Sequence, residues 1–168
     1  MAACDVTAEL VRELFEYVPE TGALTRKVRT AQSVRVGDRA DKPWKPGCND
    51  ECLRVTIKNG KFLAHRIVWL HQTGNWPENS IDHINGNRMD NRIENLRDVP
   101  HAMNMQNRRT PSKRSKSGVQ GVSRIGKKWR ASITVNWKVR RLGMFDTPEA
   151  AHEAYLKAKR ELHEGCTL

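Results

Sequence analysis

Residues 81–87 read Ile-Asp-His-Ile-Asn-Gly-Asn, and this stretch leaves the chain few ways to fold. Asn85-Gly86 is the dipeptide that most readily supplies the positive φ angles of a tight turn. It predicts a hairpin whose first arm carries the adjacent Asp82 and His83. The second arm follows as Leu96–Val99. Pro100, with φ already fixed near its helical value, then opens a helix over His101–Arg109 that carries Asn104. The predicted order is strand, turn, strand, helix. A carboxylate and a side-chain amide oxygen are hard donors suited to Mg²⁺, and an imidazole beside them can take a proton from water.

Asp82-His83, Asn95 twelve residues beyond His83, and Asn104 nine further on form a multi-part spacing. It resembles the HNH nuclease family, in the form found in phage and intron homing endonucleases, over roughly Leu53 to Arg109. Leu63-Ala64-His65-Arg66-Ile67-Val68-Trp69 is similar to the segment that precedes the active hairpin in that family. The resemblance implies a ββα-metal fold. It makes His83 the general base, Asp82 and Asn104 the ligands of one Mg²⁺ with Mn²⁺ as a substitute, and Asn95 the residue that keeps the loop in shape. It also implies double-stranded DNA as substrate.

A chain of 168 residues holds one ordinary domain or two small ones. The net charge of +11 demands an acidic partner, and no apolar run is long enough to span a bilayer, so nucleic acid is expected and a membrane is not. Met1-Ala2-Ala3-Cys4-Asp5 lacks the basic start and apolar stretch of a signal peptide, which predicts a cytoplasmic protein, in the phage-infected or bacterial cell that the resemblance suggests. Cys4, Cys48, Cys52 and Cys166 are too scattered for a disulfide framework; Cys48 and Cys52 supply half a zinc ligand set that nothing else completes.

Thr7 predicts a capped helix from Ala8 to about Val18, followed by a short strand Ala23–Arg26 and a basic loop over Lys27–Pro46. Leu53–Lys58 and Lys61–Ala64 alternate around Asn59-Gly60 as a hairpin, and His65–Thr73 forms a helix closed by Gly74. His65 reads as a packing residue at the start of that helix rather than as a ligand. Arg109–Gly118, rich in Ser and cations, reads as a flexible linker between the two modules. The expected division is therefore 1–109 for the nuclease, with its ββα motif at about 80–109, then 110–118 for the linker and 119–168 for a second module.

That module is expected to hold strands Gly121–Ile125, Trp129–Asn136 and Val139–Phe145, then a helix Pro148–Glu164 capped by Thr147. Trp129, Ala131, Ile133, Val135 and Trp137 form the apolar half of the alternation. The fold class is α+β: a ββα nuclease domain plus a small three-stranded antiparallel sheet packed on one helix. No Asp or Glu occurs from Pro100 to Phe145, which leaves one sheet face basic and suited to DNA.

Gly121-Val122-Ser123-Arg124, Lys128–Ile133, Leu142–Thr147, and Ala150-Ala151 with Ala154-Tyr155 resemble the Apetala-type (ethylene-response-factor-like) DNA-binding domain, which reads the major groove with such a sheet. Carried over by position, Arg124, Lys128, Arg130, Ser132, Thr134 and Arg141 face DNA, and Arg140 joins them among the strand cations. Arg108, Arg109, Lys113 and Arg114 are expected on phosphates. Ile125, Val139 and Arg141 stand where the plant domains have further tryptophan and arginine contacts, so the plant target does not carry over. The function these readings predict is a metal-dependent homing endonuclease, with a homodimer on DNA as one route to a double-strand break. The alternative is a DNA-binding regulator or packaging factor that keeps the nuclease fold only as a scaffold.

Overall fold

The computed structural model describes residues 6–45, 51–111 and 115–167. It has the mixed α+β character that the sequence predicts and divides into two compact units, Met1–Pro100 and His101–Leu168.

The first unit starts with α1 (Ala8–Leu14), whose first turn is capped by Thr7 Oγ1 accepting the Leu10 N–H at 3.3 Å. The expected continuation of this helix to Val18 is corrected. Phe15–Val18 is strand β1, paired antiparallel with β2 (Ala23–Arg26), because a run of aromatic and β-branched residues gains more from that pairing than from another helical turn. Inside the expected basic loop lies β3 (Lys42–Trp44), three residues long with Pro43 at its centre, a composition that sequence periodicity does not register and that suits only an edge. It borders β4 (Cys52–Ile57), which pairs in turn with β5 (Gly60–Leu63). The turn between β4 and β5 falls at Lys58-Asn59, with φ 51° at Lys58, one residue earlier than Asn59-Gly60.

Helix α2 (Ala64–Thr73) follows and ends at Gly74. Val11, Phe15, Leu24, Leu53, Val55, Ile57, Ile67, Val68 and Leu70 form its core, each at most 2% exposed. Against this core stand β6 (Ser80–His83) and β7 (Leu96–Val99). Their connection is wider than the two-residue hairpin expected from Asn85-Gly86: it runs from Ile84 to Asn95 and includes a 3₁₀ turn at Ile93–Asn95. Gly86 closes only the first corner, its N–H reaching the His83 carbonyl at 2.8 Å.

The second unit opens with α3 (His101–Gln106). Its division from the first unit at Pro100 precedes the boundary expected at Arg109, because the end of α3 is tied to the chain's C-terminal stretch. Gly165 N–H donates to Gln106 Oε1 at 3.0 Å, Thr167 Oγ1 donates to Asn107 Oδ1, and Arg109 Nη2 donates to the Thr167 carbonyl at 3.0 Å. The Arg108 carbonyl receives two donors, Lys159 Nζ at 2.6 Å and Gln120 Nε2 at 2.8 Å. In the expected flexible linker, Lys116 and Ser117 form a turn and Gly118 a bend rather than open coil, and the Ser117 hydroxyl lies 2.7 Å from the Val122 carbonyl and 3.1 Å from that of Val119.

Strands β8 (Val122–Ile125), β9 (Lys128–Val135) and β10 (Lys138–Phe145) form an antiparallel sheet in the order β10-β9-β8. Helix α4 (Pro148–Leu162), capped by Thr147 Oγ1, packs Ala151, Tyr155 and Ala158 against Val122, Ala131 and Ile133. Gly121 allows the approach: at φ 73°, a Cβ there would lie 2.0 Å from the Tyr155 ring. Trp137 is not the fifth inward residue of β9. It sits with Asn136 in the β9–β10 turn, both at positive φ, and is 93% exposed.

Candidate active site and nucleic-acid face

Asp82 and His83 are consecutive on β6 and project to opposite sides of the ladder. Both are buried. On one side, cross-strand register sets Arg97 of β7 opposite Asp82, and its Nε and Nη2 both donate to Asp82 Oδ2, at 2.9 and 2.7 Å. A guanidinium fork on a buried carboxylate compensates the charge and fixes the side chain in one rotamer. On the other side, His83 Nε2 lies 3.0 Å from Asn91 Oδ1. An amide oxygen only accepts, so this contact assigns the ring proton to Nε2 and the remaining lone pair to Nδ1. Burial lowers the His83 pKa below the usual imidazole value, against the Asn91 bond and the Asp82 charge, which raise it.

His65 meets the His83 ring edge to face, with centroids 5.1 Å apart and planes at 85°. Burial and then the charge of His83 push its pKa down to about 3, which makes it a neutral wall for the histidine beside it. Its place at the start of α2 matches the packing role expected for it.

Asn95 works on the loop itself. Its Oδ1 accepts the Asn85 N–H at 2.9 Å and its Nδ2 donates to the Asp90 carbonyl at 2.8 Å, so one buried side chain spans the segment between His83 and β7. Asp90 is drawn further into the network by Arg92 and Asn85, and these hydrogen bonds lower its pKa to about 2. The first hairpin supports the same loop from outside: Tyr17 Oη accepts the Ile93 N–H at 2.8 Å, and Gly22, at φ 69°, leaves no room for a Cβ, which would lie 2.3 Å from Arg92 N.

Asp82, His83 and Asn95 thus share the first unit, while Asn104 sits on α3 in the second. Asn91 is the residue that sequence reading missed; only its place in the polar run Asp90-Asn91-Arg92 after the Asn-Gly corner could have marked it. Cys48, Lys113 and Arg114 lie outside the described residues, and Cys52 is buried with Sγ 3.6 Å from the Trp44 carbonyl. Among the described residues, no three His, Cys, Asp or Glu side chains gather as a metal site. Nor is any helix among them long and apolar enough to cross a membrane.

A family model described as HNH endonuclease matches residues 62–106, from β5 through α3. Protein 3.8 of Escherichia phage T7 is 33% identical over 102 residues, covering 59% of this chain and 83% of the T7 protein. The chain belongs to the HNH endonuclease family. HNH nucleases are generally dependent on a divalent metal, and an HNH nuclease domain implies DNA as substrate. No solved structure matches the chain. The HNH match ends at residue 106 and does not reach the residues expected to be Apetala-like.

In that unit the register sorts the expected DNA-facing residues. Lys128, Arg130, Ser132, Thr134 and Arg141 share the face of the sheet that α4 leaves uncovered. Arg124 and Arg140 do not: they pair with Trp129 and Ile133 and so belong to the helix side, where the Arg124 guanidinium sits 5.7 Å over the Trp129 ring. The two-residue turn at Gly126-Lys127 fixes that parity. Arg108 is exposed, and Arg109 is engaged with Thr167 through its guanidinium.

Proposed function

We propose that this chain is a divalent-metal-dependent DNA endonuclease of the homing type, in which residues 62–106 carry the hydrolytic site and the uncovered face of β8–β10 selects the DNA. The observation that supports it most is the buried His83–Asn91 bond, within the residues that match the HNH model.

A water attacking phosphorus must lose a proton, and His83 has the lone pair to take it at Nδ1. Burial keeps its imidazole neutral at neutral pH, the form a base requires. Asp82 and Asn104 would hold the metal; one carboxylate and one amide oxygen suit Mg²⁺, which retains most of its waters, and Mn²⁺ accepts the same donors. When bound, the ion supplies charge stabilisation at the phosphate and the leaving 3′ oxygen. Arg97 fixes the Asp82 carboxylate from the side, and Asn95 holds the loop that carries Asn91. The products are 5′-phosphate and 3′-hydroxyl ends. One His83 per chain cuts one strand, so a double-strand break takes a second protomer or a second visit. The setting is the cytoplasm of a phage-infected bacterium.

The test is conversion of supercoiled plasmid to nicked and linear forms with Mg²⁺ or with EDTA, for the native chain and His83→Ala. Nicking that requires the metal and is lost in the variant is the expected result. Binding without cleavage by either protein, on host genomic DNA and with Mn²⁺ as well, overturns the enzymatic reading.

A further inference from the structure

The uncovered face of the second unit's sheet is not uniformly basic. One cross-strand row holds Met144, Arg130 and Ser123; Arg141 stands beside Ser132 and Val139 beside Thr134 further along, with Ile125 beside Lys128 at the other end. Ile125, Val139 and Met144 are 45%, 68% and 47% exposed, so apolar side chains stand in water among cations. A surface that only tracks phosphates gains nothing from them.

The bulge between Arg141 and Gly143 explains the arrangement. Leu142 turns into the core, and Arg141 and Met144 both emerge on the outer face. Together with Ile125, Arg130 and Gly143 they surround a shallow depression. Arg130 Nε and Ser123 Oγ, neighbours in the row, are shielded from solvent and have no hydrogen-bond partner among the described residues. Shielded polar groups are normally paired, so this row is short of an acceptor.

We propose that this face reads base edges in the major groove at a guanine next to a methyl-bearing pyrimidine, with Arg130 and Arg141 on the guanine and Ile125 and Met144 against the pyrimidine 5-methyl group. The inference rests on the reading that this sheet is the DNA surface. Guanine offers two adjacent acceptors, N7 and O6, that match a guanidinium fork, and the thymine methyl is the apolar group on that groove edge. Charge supports the same occupant. No Asp or Glu occurs from Pro100 to Phe145, and Lys128 meets Asp146 only in an exposed pair at 3.4 Å.

The experiment uses the full chain in EDTA and duplexes selected from a random library. Each selected duplex is remade with deoxyuridine in place of thymidine, which removes only the methyl groups. Affinity should fall about fourfold per contacted methyl, the value of one methylene-sized apolar group. Ile125→Ser and Met144→Ser, both at exposed positions, should each reduce that preference while binding the deoxyuridine duplex as the native chain does. Equal affinity for both duplexes, with binding still lost in Arg130→Ala and Arg141→Ala, overturns the methyl readout and leaves the sheet as the DNA surface. Binding unaffected by all four substitutions overturns both, and a library that enriches no sequence overturns the base readout.

Discussion

Asn91 Oδ1 faces His83 Nε2 at 3.0 Å, and both side chains are buried. The contact fixes the orientation of a histidine ring at the end of a strand. In the proposed mechanism this gives the loop between β6 and β7 a part in the chemistry, because Asn91 is held there by Asn95, Tyr17 and Gly22 rather than by a strand of its own.

Asn91→Ala should therefore lower the nicking rate about 10- to 100-fold, the range typical for partners that orient a functional group, while leaving DNA affinity unchanged. Single-turnover cleavage beside an electrophoretic binding assay separates the two. A rate within about twofold of native would show that His83 is oriented without Asn91.

Gly22→Ala tests the outer support. A Cβ there meets Arg92 N at 2.3 Å and must also take a positive φ, so the substitution should destabilise the first unit by about 2 kcal/mol and slow cleavage with it. Tyr17→Phe removes only the acceptor for the Ile93 N–H and should cost about 1 kcal/mol. Chemical denaturation gives both values, and the order Gly22→Ala above Tyr17→Phe is the expected outcome.

The pH dependence of stability follows from His65. Its pKa falls from 6.5 to about 3 in the folded chain, chiefly through burial, with His83, Arg66 and Arg88 adding repulsion. Between those values the unfolded chain binds a proton that the folded chain refuses, so stability drops as pH falls through 6.5 toward 3. His71 and His83 shift in the same direction and add to the loss; Asp90, lowered to about 2 from 3.8, contributes only below its unfolded value. The melting temperature should fall between about pH 7.5 and about pH 5, and His65→Gln should reduce that fall. An equal fall in the variant would exclude His65 as its source.

Much of this architecture is written in the chain's periodicity. The alternation of β9, the Thr147 cap and the inward stripe of α4 follow from spacing alone, since each records a burial pattern. The loop from Ile84 to Asn95 does not, because its shape comes from side chains of Asn85, Asn87 and Asp90 bonding nearby backbone and one another. Such local bonds have no period, which is why Asn91 escaped notice while its neighbour Asn95 was found by family spacing. Lys159 escaped for the opposite reason: it lies on the inward stripe of α4, wholly buried, where the pattern calls for an apolar residue.

Lys159 illustrates what such a residue contributes. Its Nζ donates to the Arg108 carbonyl, and burial lowers its pKa. The carbonyl keeps Gln120 Nε2 as a second donor. Lys159→Met, which preserves the length of the side chain and removes the buried charge, should therefore change stability by less than about 1 kcal/mol. Lys159→Ala, which opens a cavity, should cost about 2–4 kcal/mol. Equal losses in the two variants would mean that the ammonium rather than the volume matters.

Truncation tests how the two units share the work. Ending the chain at Thr110 removes the partners that hold the end of α3, the Gly165 N–H on Gln106 and the Thr167 hydroxyl on Asn107, and so loosens the helix that carries Asn104. The expected result is loss of metal-dependent nicking by more than about tenfold, beyond any loss of site preference. Removal of the sheet also removes DNA binding, so the decisive comparison is Gln106→Ala with Thr167→Ala in the full chain. That double variant should bind DNA normally and still cleave slowly. If it cleaves at the native rate while the truncated chain is inactive, the C-terminal unit contributes affinity alone, and α3 needs no support from residues 165–167.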